Sequence, residues 1–315
     1  MAWAAFEHPE VTAKGETRAS VPLVSLDTLW FNTGTRCNIS CTHCYIESTP
    51  TNDRLVYLTR DDVAHHLAEI AELAVSDPSR FGQVREIGFT GGEPFLNPHM
   101  LDLLEVCLAA GYEVLVLTNA MRPMQRGRIK EGLLALHQRY PGALTLRVSI
   151  DHASAELHDE ERGAGSFAST CEGLRWLAEQ GVALHVAGRL RWGTPEPELR
   201  AAYGALFAGL GVNIDPWDKT ALMLFPEMDE HAPVPEITTA CWGILDKAPS
   251  SVMCASSRMI VKRKDAEQTA VLACTLLAYD EQFELGPTLG QAVGPVPLNH
   301  RHCAKFCVLG GASCS

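Results

Sequence analysis

Apolar and polar positions along the chain fall into two repeating textures from Thr28 onward. Short runs rich in Val, Ile, Leu or Phe recur at 29–32, 84–89, 114–118, 144–150, 184–190 and 222–225. Such runs are what strands buried on both faces of a parallel sheet require. Longer segments with helical spacing separate them. Thr59 precedes RDDVAHHLAEIAELAV, with Asp61 and Asp62 in the first turn, where the positive end of the helix dipole favours acids. Asn97 and Pro98 read as the cap and first position of the next helix, which Gly111 closes. Ser166 opens another, with Phe167, Cys171, Leu174 and Leu177 on one face. Strand and helix alternate about six times, which predicts parallel strands joined by right-handed crossovers, as an open sheet or a barrel. Beyond Pro226 the texture changes, and Pro226, Pro233, Pro235 and Pro249 divide the chain into short pieces.

Composition narrows the function classes. The chain has 315 residues, a formal charge of −12 and 11 cysteines. An acidic balance disfavours a nucleic-acid backbone as partner. No apolar run reaches the ~18 residues of a membrane span. The start, MAWAAFEHPEVTAK, lacks the basic region and apolar stretch of a signal peptide, so a cytoplasmic location and no membrane partner are expected. In a reducing compartment, cysteines at this density point to metal ligation or catalysis rather than to disulfides.

The first cluster, FNTGTRCNISCTHCYIES, holds Cys37, Cys41 and Cys44 directly after the first strand. Loops at the C-terminal ends of α/β strands build active sites. Three thiolates on one loop can hold three corners of an iron–sulfur cluster and leave the fourth iron open. The competing reading is a zinc site completed by His43, although structural zinc normally takes paired C-x2-C spacings. Bacterial ferredoxins use C-x2-C-x2-C and a later Cys-Pro, which this sequence lacks.

The C-x3-C-x2-C loop resembles the signature of radical S-adenosylmethionine (radical SAM) enzymes. His43 stands where that family usually has an aromatic residue. The second strand ends in Gly91-Gly92-Glu93-Pro94, at the place of the family's GGEP motif. Glycines there let backbone approach a ligand closely. Strand three ends in Thr118-Asn119, and strand four in VSIDHASAELHDEERGAGSF, which resembles the family's S-x-D, H-D-x-x-R-G and S-F elements. The resemblance spans roughly residues 28–226. It implies a [4Fe–4S] cluster on Cys37, Cys41 and Cys44, with S-adenosyl-L-methionine chelating the open iron. Gly91, Gly92, Glu93, Pro94, Tyr45, Asn119, Ser149, Asp151 and Arg189 are then the candidate cofactor contacts, and Arg189 suits the methionine carboxylate. No catalytic residue on the substrate side is assigned.

Six cysteines fall in the last 75 residues. Cys254 and Cys274 flank a hairpin, SRMIVKR–KDAEQ–TAVLAC, and Cys303-x3-Cys307 adds a close pair. This tail resembles the auxiliary-cluster domains called SPASM, or Twitch when shortened, though its hairpin lacks their usual glycine. Cys254, Cys274, Cys303 and Cys307 are the expected ligands of a second [4Fe–4S] cluster, with Cys314 and Cys241 as alternatives and zinc as the competing metal. Cys107 and Cys171 lie on apolar helix faces and read as core residues.

The expected fold is thus α/β, a partial (β/α)6 barrel over 28–226, with an N-terminal extension at 1–27 and a small α+β auxiliary-cluster domain at 227–315. The resemblance implies an oxidoreductase that cleaves S-adenosylmethionine reductively and abstracts hydrogen from a small molecule or ribosomal peptide. An electron donor such as flavodoxin or ferredoxin is the implied partner. The alternative is a non-catalytic iron–sulfur carrier or redox sensor.

Overall fold

The computed structural model describes residues 4–227 and 233–311. Cys314 therefore lies outside the described residues. In chain order the elements are β1 (Ser20–Val21), β2 (Thr28–Asn32), α1 (Arg60–Ser76), α2 (Pro78–Phe81), β3 (Glu86–Thr90), α3 (Met100–Ala109) and β4 (Glu113–Thr118). Then come α4 (Gly127–Arg139), β5 (Leu144–Ser149), α5 (Ala155–Arg162), α6 (Ser166–Glu179), β6 (Ala183–Leu190), α7 (Glu196–Leu210) and β7 (Leu222–Pro226). The remainder holds α8 (Cys241–Ile244), β8 (Ser257–Val261), β9 (Ala270–Leu272), β10 (Glu284–Gly286) and β11 (Val296–Pro297), and ends in a π-helical turn, Cys303–Leu309.

Nine strands form one sheet in the order β10-β9-β8-β2-β3-β4-β5-β6-β7. From β2 to β7 every neighbouring pair is parallel, with Leu29, Ile87, Val114 and Leu144 in register across the first four. The alternation of apolar runs and helical segments is legible in this order. Each expected strand is present, shifted by no more than two residues at either end. Gly88 on β3 is required by packing: a Cβ there would lie 2.4 Å from the Trp30 ring.

Helix boundaries follow local chemistry. Thr59 and Asp62 form a reciprocal capping box at the start of α1. The helix expected from Asn97–Pro98 instead begins at Met100. Glu93 accepts from the Phe95 N–H and starts a 3-10 turn over Pro94–Leu96. Asn97 closes that turn, and its side-chain amide is spent on the Thr33 and Leu58 carbonyls.

The hairpin after residue 226 is not a sheet of its own. β8 and β9 pair antiparallel, but β8 also pairs parallel with β2, with Leu29 opposite Arg258. The short β1 pairs with β11, so residues near Val21 lie against the tail. One core cluster packs α1, α3, α4, α6 and α7 on the sheet. A second joins Trp30 and Leu115 to Met253, Leu272, Leu298 and Phe306.

Candidate active site

The loop after β2 carries Cys37, Cys41 and Cys44, and all three line one cavity of about 1090 Å³, counted out to the solvent. Its position follows from two glycines. Gly91 has φ +132°, and a Cβ there would lie 2.5 Å from the Gly34 carbonyl oxygen. At Gly92 a Cβ would lie 2.2 Å from the Arg36 carbonyl oxygen. The Gly92 and Glu93 N–H groups donate to those same two carbonyls, at 2.9 and 3.1 Å. Only glycine lets the strand end approach the cysteine loop this closely.

Gly91 and Gly92 line the cavity; Glu93 and Pro94 are buried and are not among its lining residues. The Glu93 carboxylate turns inward and accepts from Thr118 Oγ1, the Asn119 N–H and the Phe95 N–H, at 2.9, 2.9 and 3.2 Å. Burial pushes its pKa up to about 7 despite those three donors. The carboxylate of this candidate cofactor contact ties the end of β4 to the loop after β3. Asn119, held there, donates to Asn38 Oδ1 at 2.9 Å inside the cysteine loop.

Tyr45, Asn119, Ser149, Asp151 and Arg189 also line the cavity. Asp151 forms a bidentate pair with Arg162, at 2.7 and 3.0 Å. Burial alone would raise its pKa, but Arg162 outweighs that and holds the carboxyl below the usual range. Arg189, the residue suited to a ligand carboxylate, lines the cavity and is also engaged within the protein. It donates to Glu161 Oε1 at 2.8 Å and to the His43 carbonyl at 3.3 Å.

Glu161 is the residue that sequence reasoning missed. It is buried at the C-terminal end of α5 and accepts from the His43 N–H at 2.8 Å and lies 2.9 Å from His43 Nδ1. Its own backbone carbonyl accepts from the Thr42 N–H. The segment between Cys41 and Cys44 is thus clamped onto α5 and, through Arg189, onto β6. The only sequence signal was the HDEERG segment, in which Glu161 directly precedes Arg162.

Cys254, Cys274, Cys303 and Cys307 together line a second, apolar cavity of about 360 Å³, also counted out to the solvent. Leu276 borders both cavities. Cys241 does not line either one; its sulfur takes the Thr238 N–H at 3.4 Å. Burial pushes the thiols of Cys37 and Cys303 up to about 12 and those of Cys41 and Cys254 up to about 11. Metal binding must then displace their protons. None of the ten described cysteines is in a disulfide. Soft thiolate sets of three and four, each around its own cavity, fit iron–sulfur ligation.

The chain belongs to the radical SAM superfamily, whose family model matches residues 31–190. Its cofactors are accordingly a [4Fe–4S] cluster and S-adenosyl-L-methionine, and its C-terminal region is similar to SPASM/Twitch domains. The subtilosin biosynthesis protein AlbA of Bacillus subtilis is 28% identical over 178 residues, covering 56% of this chain and 35% of that protein. The mycofactocin maturase MftC of Mycobacterium ulcerans is 29% identical over 151 residues, 47% of this chain and 35% of that protein. The chain thus matches about a third of the length of these relatives. Among solved structures, anSMEcpe with bound AdoMet superposes with TM-score 0.57 at 13% identity, over 84% of this chain and 79% of that one. SuiB of Streptococcus suis bound to S-adenosylmethionine gives 0.56 at 12%, over 84% and 63%. These likenesses establish the α/β radical SAM fold. No described helix is long and apolar enough to cross a membrane.

Proposed function

We propose that the protein is a radical SAM oxidoreductase acting on a ribosomally made peptide, with β2 to β7 as a partial barrel around the active cavity. The observation that carries this is the single cavity lined by Cys37, Cys41, Cys44, Gly91 and Gly92. When bound, the cluster and S-adenosylmethionine supply a 5′-deoxyadenosyl radical that takes a hydrogen atom from the substrate. Cys37, Cys41 and Cys44 hold the cluster. Gly91 and Gly92 present backbone at the cavity wall, and Asn119 and Ser149 offer polar groups beside it.

Glu161 and Arg189 orient the cysteine loop rather than the cofactor. The Asp151–Arg162 pair sets a fixed polar wall, with the Arg162 charge acting on the Cys41 thiol. Tyr45, Phe225, Pro226 and Phe306 give the cavity apolar surface that excludes water. Cys254, Cys274, Cys303 and Cys307 hold the auxiliary cluster. Leu276, as a shared wall, would keep the two clusters close enough for the second to accept an electron from an oxidised substrate and pass it to an external acceptor such as flavodoxin or ferredoxin. The peptide substrate class is supported by the names of AlbA, a bacteriocin biosynthesis protein, and MftC, a mycofactocin maturase, and by the structure of SuiB bound to its precursor peptide SuiA.

The test is anaerobic reconstitution followed by reduction and addition of S-adenosylmethionine. The parent binds about eight irons, as two four-iron clusters require, and releases 5′-deoxyadenosine. Replacing Cys37, Cys41 and Cys44 by alanine removes about half of the iron and all cleavage. Cys107→Ala, in the core, leaves both unchanged. Cleavage surviving in the triple variant refutes the proposal, and iron without any cleavage in the parent favours an electron carrier.

A further inference from the structure

Arg258 on β8 is fully buried, at 1% exposure, and no carboxylate pairs with it among the described residues. Its Nε donates to the Ala292 carbonyl at 2.9 Å, and its Nη1 to the carbonyls of Cys254 and Ser257 at 2.6 and 2.8 Å. Its Nη2 is buried and has no acceptor. Carbonyl dipoles satisfy some of its donors, but none neutralises the charge. An isolated buried charge is costly, and proteins compensate it with an opposite one. The contrast lies nearby. Arg18, equally buried and facing Cys303, has Glu236 as its ion-pair partner. The Nη1 bond to the Cys254 carbonyl places the guanidinium beside one of the four cysteines of the second cavity.

We propose that Arg258 is the counter-charge of an anionic iron–sulfur cluster held by Cys254, Cys274, Cys303 and Cys307, and that it raises the reduction potential of that cluster. This rests on the auxiliary-cluster reading given above. Four thiolates make such a cluster net negative, and reduction adds one further negative charge. A fixed cation behind one ligand favours the reduced state, since net charge and hydrogen bonding set cluster potentials. Arg258 touches no reacting atom; it is a tuning and positioning residue acting through Cys254. Arg258 does not line the second cavity; its side chain reaches the ligand set through the Cys254 carbonyl.

The test uses the full chain with Cys37, Cys41 and Cys44 replaced by alanine, so that only the auxiliary cluster remains. Arg258→Met removes the charge at similar length; Arg258→Lys keeps it. Iron content, circular dichroism and a redox titration followed by electron paramagnetic resonance are measured on each. In Arg258→Met the reduced-to-oxidised ratio at fixed potential falls at least tenfold, about 59 mV for one electron. Arg258→Lys restores most of it. If Arg258→Met is folded but loses its iron while Arg258→Lys keeps iron, the charge requirement also stands. A ratio within threefold of the parent in Arg258→Met overturns the inference, as does equal iron loss in both variants with the fold intact. A parent without iron overturns the auxiliary-cluster reading itself, and this inference with it.

Discussion

Glu161→Ala is the sharpest probe of how the cysteine loop is held. The Glu161 side chain is 2% exposed and that of Arg189 12%. Truncation removes the acceptor for the His43 N–H and for Arg189 Nη1, both at 2.8 Å, and the contact to His43 Nδ1. Breaking a buried ion pair by deleting one partner costs about 3–5 kcal/mol, because the other charge stays buried and unpaired. Arg189 keeps the His43 carbonyl and some solvent, so the low end, ~3 kcal/mol, applies. In a chain of this size that lowers the thermal midpoint of the metal-free protein by roughly 4–5 °C. Glu161→Gln keeps the shape and one acceptor but points an amide donor at other donors, so it loses about 1–2 kcal/mol. The assay is differential scanning calorimetry of both variants, with iron counted after anaerobic reconstitution. Because His43 sits between two of the three loop cysteines, Glu161→Ala also lowers iron retention at that site. A midpoint within 2 °C of the parent with full iron content refutes the clamp.

Two further outcomes follow from the same geometry. Gly92→Ala forces a Cβ against the Arg36 carbonyl, which is backbone and cannot swing aside. It loses about 1–3 kcal/mol and part of the iron, whereas Gly127→Ala, with nothing within 4 Å, is neutral in calorimetry and iron assay. Asp151, depressed by Arg162, stabilises the fold above its unfolded pKa of about 3.9, and that contribution is lost as pH falls through the lower folded value. Urea midpoints therefore drop more steeply below about pH 4 in the parent than in Asp151→Asn, and equal slopes would exclude the pair as a source of acid sensitivity.

Periodicity made the parallel strands legible because each is buried on both faces and reads as a continuous apolar run. The cysteine spacings were legible because ligand sets cluster locally in sequence. The clamp was not, since Glu161 lies 118 residues from His43 and nothing in a helix-end glutamate states its partner. Nor was the direction of Glu93: a positive φ at Gly91 precedes it, and the turn that follows spends its carboxylate on Phe95, Thr118 and Asn119.

The least legible feature is also the one with most consequence for mechanism. Antiparallel pairing of β8 with β9 follows from the hairpin pattern, but the parallel pairing of β8 with β2 depends on long-range packing. Cys37 follows the C-terminal end of β2, whereas Cys254 precedes the N-terminal end of β8. The two thiol sets therefore start from opposite ends of adjacent parallel strands. The return of the chain after β9 closes that gap: Tyr279 donates to the Ile46 carbonyl beside the first set, and Leu276 borders both cavities. A larger or polar residue at 276 would perturb both sites at once, which no separately folded appendage would permit. The wall between the cavities, rather than either cysteine set alone, is what joins the two thiol sets into one structural unit.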